Sequence, residues 1–177
     1  MHGASVKEGA ITVVVEDAAW RGHRGLLPKL EAAAIAARRA AKLPAKRRLT
    51  ILLAGDARLK RLNHDFRGKN KPTNVLSFPS DAADYAGDIA LAHGVTRTEA
   101  LAAKKSFADH ASHLVVHGVL HLAGYDHMSD SDAGIMEPLE TRILAKLGVA
   151  DPYGSSGQEK LQTFPSGRAA KNKADRA

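Results

Sequence analysis

The sequence predicts a single globular domain that mixes helix and strand. Three observations predict it. A length of 177 residues is that of one domain able to bury a real core. The composition, 44% apolar and 25% charged, is that of a folded chain. Short β-branched runs alternate with Ala- and Leu-rich stretches of helical period.

Taken in order, "AITVVVED" is a continuous β-branched run and reads as a buried strand; "RRLTILLAGD" repeats that texture, so both are placed centrally in one sheet. Between them residues 26–43 carry charges on one side of an apolar stripe, an amphipathic helix with Pro28 in its first turn. Asp56 is expected to cap a second helix, "ARLKRLNHDFRG", which Gly68 ends. Pro72 and Pro79 bracket a short extended piece, and "AGDIALAHG" supplies the fourth strand. "VTRTEALAAKKSFADHASHLVVHGVLHLAG" reads as two helices, the second ending at Gly124. A last amphipathic helix follows Ser129 or Ser131. Residues 151–177 are polar and lack an apolar face, so a domain over 1–150 is expected to carry a disordered tail.

A net charge of +7 favours a polyanionic partner such as RNA. The absence of cysteine excludes disulfides, thiol nucleophiles and thiolate metal sites, and fits a reducing compartment. The N-terminal apolar run is far below the ~18 residues that span a bilayer, so a cytoplasmic protein with no membrane partner is expected.

The chemistry-bearing stretch is "HGVLHLAGYDH", with His117, His121 and His127 inside eleven positions of an otherwise apolar segment. Residues four apart on a helix are separated by about 400°, so His117 and His121 project from one face. Gly124 can take a positive φ and fold the chain back, which lets His127 close a third corner. Three neutral imidazoles suit one Zn2+ or a similar divalent ion such as nickel and leave a fourth position for water, whose pKa zinc lowers to about 7. Burying imidazoles beside Leu120 and Leu122 without partners is costly, which weighs against three merely structural histidines. His110 continues the same face and reads as structural. His113 and Asp126 are candidates to hold the ligand rings from behind.

The same spacing, a metzincin-like zinc helix, occurs in metalloproteases whose second motif position is a glutamate acting as base. Here that position is Gly118, which makes proteolysis the alternative rather than the leading reading.

Together with "FRGKNKPTNVLSFP" and "GDI", the histidine segment resembles the bacterial YbeY family of metal-dependent endoribonucleases and rRNA maturation factors, over residues 49–148. The resemblance implies an α+β fold, a small four-stranded sheet packed with about five helices. It implies zinc on His117, His121 and His127 and cleavage of single-stranded RNA. It further implies 16S rRNA 3′-end processing, ribosome maturation and quality control, with the small ribosomal subunit and a ribosome-assembly GTPase as partners. The family's functional arginine falls on Arg67, a catalytic residue beside His117 and His121 on this reading. A guanidinium opposite a metal can hold two phosphate oxygens in a fixed fork as charge develops. Lys69 and Lys71 add phosphate attraction, and Thr73, Asn74 and Ser77 offer hydrogen bonds to ribose or phosphate. Zinc-bound hydroxide, Asp126 and the substrate's 2′-hydroxyl each remain open as the start of the reaction. A non-catalytic RNA-binding assembly factor with a structural zinc is the further alternative, although structural zinc sites close with four protein ligands and no fourth is evident here.

Overall fold

The computed structural model describes residues 10–126 and 128–154. The four strands and five helices expected from the sequence are found as five α-helices around one four-stranded sheet, an α+β arrangement. The elements are β1 (Ile11–Val15), a 3-10 turn (Ala18–Gly22), α1 (Leu26–Ala40), β2 (Arg48–Ala54), α2 (Asp56–Arg67), β3 (Val75–Pro79), β4 (Tyr85–Ala92), α3 (His93–Ala102), α4 (Phe107–Leu122) and α5 (Asp130–Lys146). The sheet order is β1-β2-β4-β3; β1, β2 and β4 run parallel and β3 is antiparallel to β4. Residues 1–9, His127 and residues 155–177, most of the expected tail, lie outside the described residues.

One strand is displaced from its expected place. β1 is an edge strand, not a central one: Ile11, Val13 and Val15 pack inward while Thr12 and Val14 face solvent, Val14 at 43% exposure. An unbroken β-branched run does not tell one-sided from two-sided burial, and here only one face is covered. β2 and β4, the two central strands, are buried on both sides. Leu49, Ile51 and Leu53 join the main core, and Leu52 and Ala54 meet a smaller cluster with Leu59 and Leu76.

Those two clusters divide the helices. α1, α4 and α5 build the main core with one sheet face, and α2 closes the other. α4 is the central helix, apolar on nearly every side, as a helix enclosed by other elements must be.

Asp56 does not cap its own helix. Gly55 occupies the N-cap of α2, and Asp56 Oδ1 instead accepts from the Val95 N–H of α3 at 3.0 Å. The cause is the sheet: parallel β2 and β4 end side by side at Ala54 and Ala92, so the helices that follow them begin together. Ser129 is the cap of α5, accepting from Asp132 N–H at 3.1 Å, and Gly68 ends α2 at φ +68° as expected.

Candidate metal centre and the loop after α2

α4 forms because Ser106 caps it, accepting from Asp109 N–H at 3.1 Å, and because its apolar residues bury on all sides. Its last two turns carry His117 and His121. Their Nε2 atoms face each other at 3.0 Å with ring centroids 4.5 Å apart. Two nitrogens bound to one tetrahedral zinc at 2.0–2.1 Å stand about 3.3 Å apart, a few tenths of an ångström from the separation of this pair. The helix then ends at Gly124, φ +98°, where Gly124 N–H reaches His121 O and Tyr125 N–H reaches Leu120 O. The helix ends at this glycine, as the sequence predicts. His127 itself lies outside the described residues, and among the described residues no set of three donors is complete.

Gly118, between the two histidines, has a packing reason. A Cβ there lies 2.8 Å from Ile89 Cγ2 on β4, so the helix sits too close to the sheet for any side chain. A glutamate at this position, which the protease reading requires, faces the core and not the histidine side.

Behind the rings is a residue that the sequence reading passed over. Glu140 of α5 is fully buried; Oε1 accepts from His117 Nδ1 at 2.6 Å and Oε2 accepts from His113 Nε2 at 2.9 Å and from the Tyr153 hydroxyl at 2.5 Å. Burial alone raises the Glu140 carboxyl, but the charge and hydrogen bonds of His117 and His113 outweigh it and hold the group well below the usual carboxylate range. An ionised carboxylate only accepts, so His117 carries a proton on Nδ1, and in the neutral ring this leaves the lone pair on Nε2. Burial pushes the His113 imidazole down, opposed by its bond to Glu140, and pushes the Tyr153 phenol up, aided by the same carboxylate. His113 shares one carboxylate with His117. A sequence signal for Glu140 existed: Met136, Glu140, Ile143 and Leu144 lie at helical spacing, a carboxylate set within a core stripe.

The remaining candidates divide between surface and interior. His110 is buried, 2.7 Å from Glu99 through Nε2 in a separate network, in line with its structural reading. Asp126 follows the glycine turn and is half-buried. Arg67 is the last residue of α2, half-buried, with no hydrogen-bond or ion-pair partner among the described residues; burial pushes its guanidinium down. The loop after it is pinned by Asn63, whose amide donates to Lys71 O at 2.9 Å. Lys71 is exposed and Lys69 half-exposed. Thr73 and Asn74, expected to face RNA, are turned inward at 2% and 1% exposure. The Asn74 amide donates to Glu99 and its Oδ1 accepts from Val75 N–H at 2.7 Å, so its polar groups serve the start of β3. Ser77 is half-buried and its hydroxyl donates to Gly118 O at 3.4 Å.

β3 connects the two halves of the site. Ser77 faces α4, while Phe78 on the opposite face holds Phe66, Arg67's neighbour, edge-on at 5.2 Å between centroids. Phe66 is 67% exposed.

The family model described as "Endoribonuclease YbeY" matches residues 26–148. A relative from Maricaulis maris (strain MCS10), named "Endoribonuclease YbeY", is 47% identical over 148 residues, covering 81% of this chain and 91% of its own. One of the same name from Methylocella silvestris is 41% identical over 165 residues, covering 90% and 92%. The solution structure of a Thermotoga maritima protein, 24% identical, aligns with 82% of this chain and all of its own at a TM-score of 0.56, which supports the fold.

Proposed function

The chain belongs to the endoribonuclease YbeY family, and from that premise we propose that it is a metal-dependent, single-strand-specific endoribonuclease acting on ribosomal RNA. The observation that carries the metal site is the His117–His121 pair, its nitrogens 3.0 Å apart and one ring held from behind by a buried carboxylate. His117, His121 and His127 hold the ion, zinc being the best fit to imidazole donors. When bound, the ion supplies an acidified water and a positive charge opposite the scissile phosphate.

The chain's own residues do the rest. Glu140 fixes the His117 tautomer, and His113 and Tyr153 hold Glu140 in place. Arg67, half-buried and without a hydrogen-bond or ion-pair partner among the described residues, binds the phosphate as its charge grows, where the partly dry surroundings strengthen the contact. Lys69 and Lys71 draw the backbone, and Phe66 offers a face on which an unpaired base stacks, which favours single strands over duplex. Asp126 stands beside the third ligand as a proton acceptor. We place this activity in the cytoplasm, on the 3′ end of 16S rRNA in the small subunit, with a ribosome-assembly GTPase as partner and ribosome quality control as a second task. Among the described residues no helix is long and apolar enough to cross a membrane.

The test is cleavage of a single-stranded RNA by the wild type, His121→Ala and Arg67→Ala. The wild type cuts, His121→Ala is inactive, and Arg67→Ala loses about 10²–10³ in rate, the scale of one lost charge-stabilising group. Full activity in metal-free His121→Ala protein contradicts the proposal.

A further inference from the structure

We propose that His23 and His93 form a second site for a divalent transition-metal ion, at the opposite end of α4 from His117 and His121. The two residues are 70 apart in sequence, His23 just after the 3-10 turn and His93 at the first position of α3, yet their Nε2 atoms face each other at 3.0 Å. That is the separation found in the His117–His121 pair, and it lies a few tenths of an ångström from the tetrahedral edge of about 3.3 Å that zinc–imidazole bonds require.

The rings are held in place by aromatic neighbours. Phe107, the first residue of α4, stacks on His23 at 4.0 Å and 11° and tilts against His93 at 5.1 Å. Trp20 meets His93 edge-on at 5.3 Å, itself fixed by its indole N–H donating to Ala54 O at 2.8 Å. Both imidazoles remain partly exposed, so an ion can enter from solvent.

Without an ion, one ring donates an N–H to the other. With each proton on Nδ1, both Nε2 lone pairs converge on the same point and can share an ion. Burial and the neighbouring His23 ring push the His93 imidazole down, toward the neutral form that ligates a metal. Asp17 and Asp56 both act on His93 by their charge, against Arg97 and the His23 ring. Asp17 is fixed by accepting from Ala19 N–H at 2.9 Å, and Asp56 by the Val95 N–H, where it also offsets the positive start of α3. Two protein donors leave two positions for water, so the ion is held more weakly than at the three-histidine site and exchanges. Zinc, nickel and copper(II) fit two imidazoles. Bound there, the ion ties the β1–α1 connection to α3.

The experiment uses the full chain, stripped of metal, carrying His121→Ala and His127→Ala to disable the first site while leaving the Glu140–His117 contact intact. Titration with Zn2+ is expected to show one ion bound per chain, and adding His23→Gln or His93→Gln is expected to weaken it at least tenfold. Should those variants fold poorly, sub-stoichiometric Cu2+ added to the His121→Ala/His127→Ala protein is expected to broaden the ring-proton resonances of His23 and His93 selectively. No uptake by that protein, undiminished uptake after His23→Gln, or broadening centred on other histidines overturns the proposal. RNA cleavage by the wild type is a separate readout, so failure of this site and failure of the nuclease reading are told apart.

Discussion

The two ends of α4 hold imidazole pairs of the same nitrogen separation but of different support. At the C-terminal end His117 and His121 come from one helix, with rings nearly perpendicular at 77°, and His117 is braced by the buried Glu140 carboxylate. At the N-terminal end His23 and His93 come from distant segments, with rings inclined at 39° and braced by Phe107 and Trp20. The phenylalanine and tryptophan set ring planes but not protons. The carboxylate also dictates which nitrogen carries the proton, so on the proposed function the neutral ring offers its Nε2 lone pair to an ion. That arrangement costs a buried charge, which is tolerable only because His117, His113 and Tyr153 all donate to it.

Removing the carboxylate is therefore expected to break the first pair and spare the second. Glu140→Ala leaves three donors without their acceptor and opens a cavity, so a loss of about 3–5 kcal/mol is expected in urea denaturation. Glu140→Gln keeps the shape and is expected to lower metal affinity at the first site by about 10–100-fold in competition titrations, the scale of a lost outer partner. His23→Gln is expected to leave that first affinity unchanged. Gly118→Ala puts a Cβ 2.8 Å from Ile89 and forces α4 off the sheet, for about 1–3 kcal/mol of stability and a parallel fall in cleavage. The smallest effect belongs to Tyr153→Phe, which removes one of three donors to Glu140 from a partly exposed position. About 1 kcal/mol is expected, with metal affinity reduced less than by Glu140→Gln.

The first pair was legible in the sequence because helical period is local: positions 117 and 121 share a face whatever surrounds them, and the glycine at 124 announces the turn. The second pair was not legible, since 70 residues separate its members and only the assembled fold brings the start of α3 beside the 3-10 turn. The same rule explains the other differences. Gly68 and Ser129 act within their own helices and were readable, whereas Asp56 serves a neighbouring helix that only the parallel pairing of β2 and β4 places there. The edge position of β1 depends on what covers its second face, which its β-branched run does not encode. Glu140 is the one omission that local pattern carried, as an acidic residue in the apolar stripe of α5.

The most direct measurement is metal-edge X-ray absorption of the wild-type chain loaded with one equivalent of zinc. Three imidazole nitrogens at about 2.0–2.1 Å with one light oxygen atom are expected. A shell closed by four protein donors, or one without imidazole, contradicts the account.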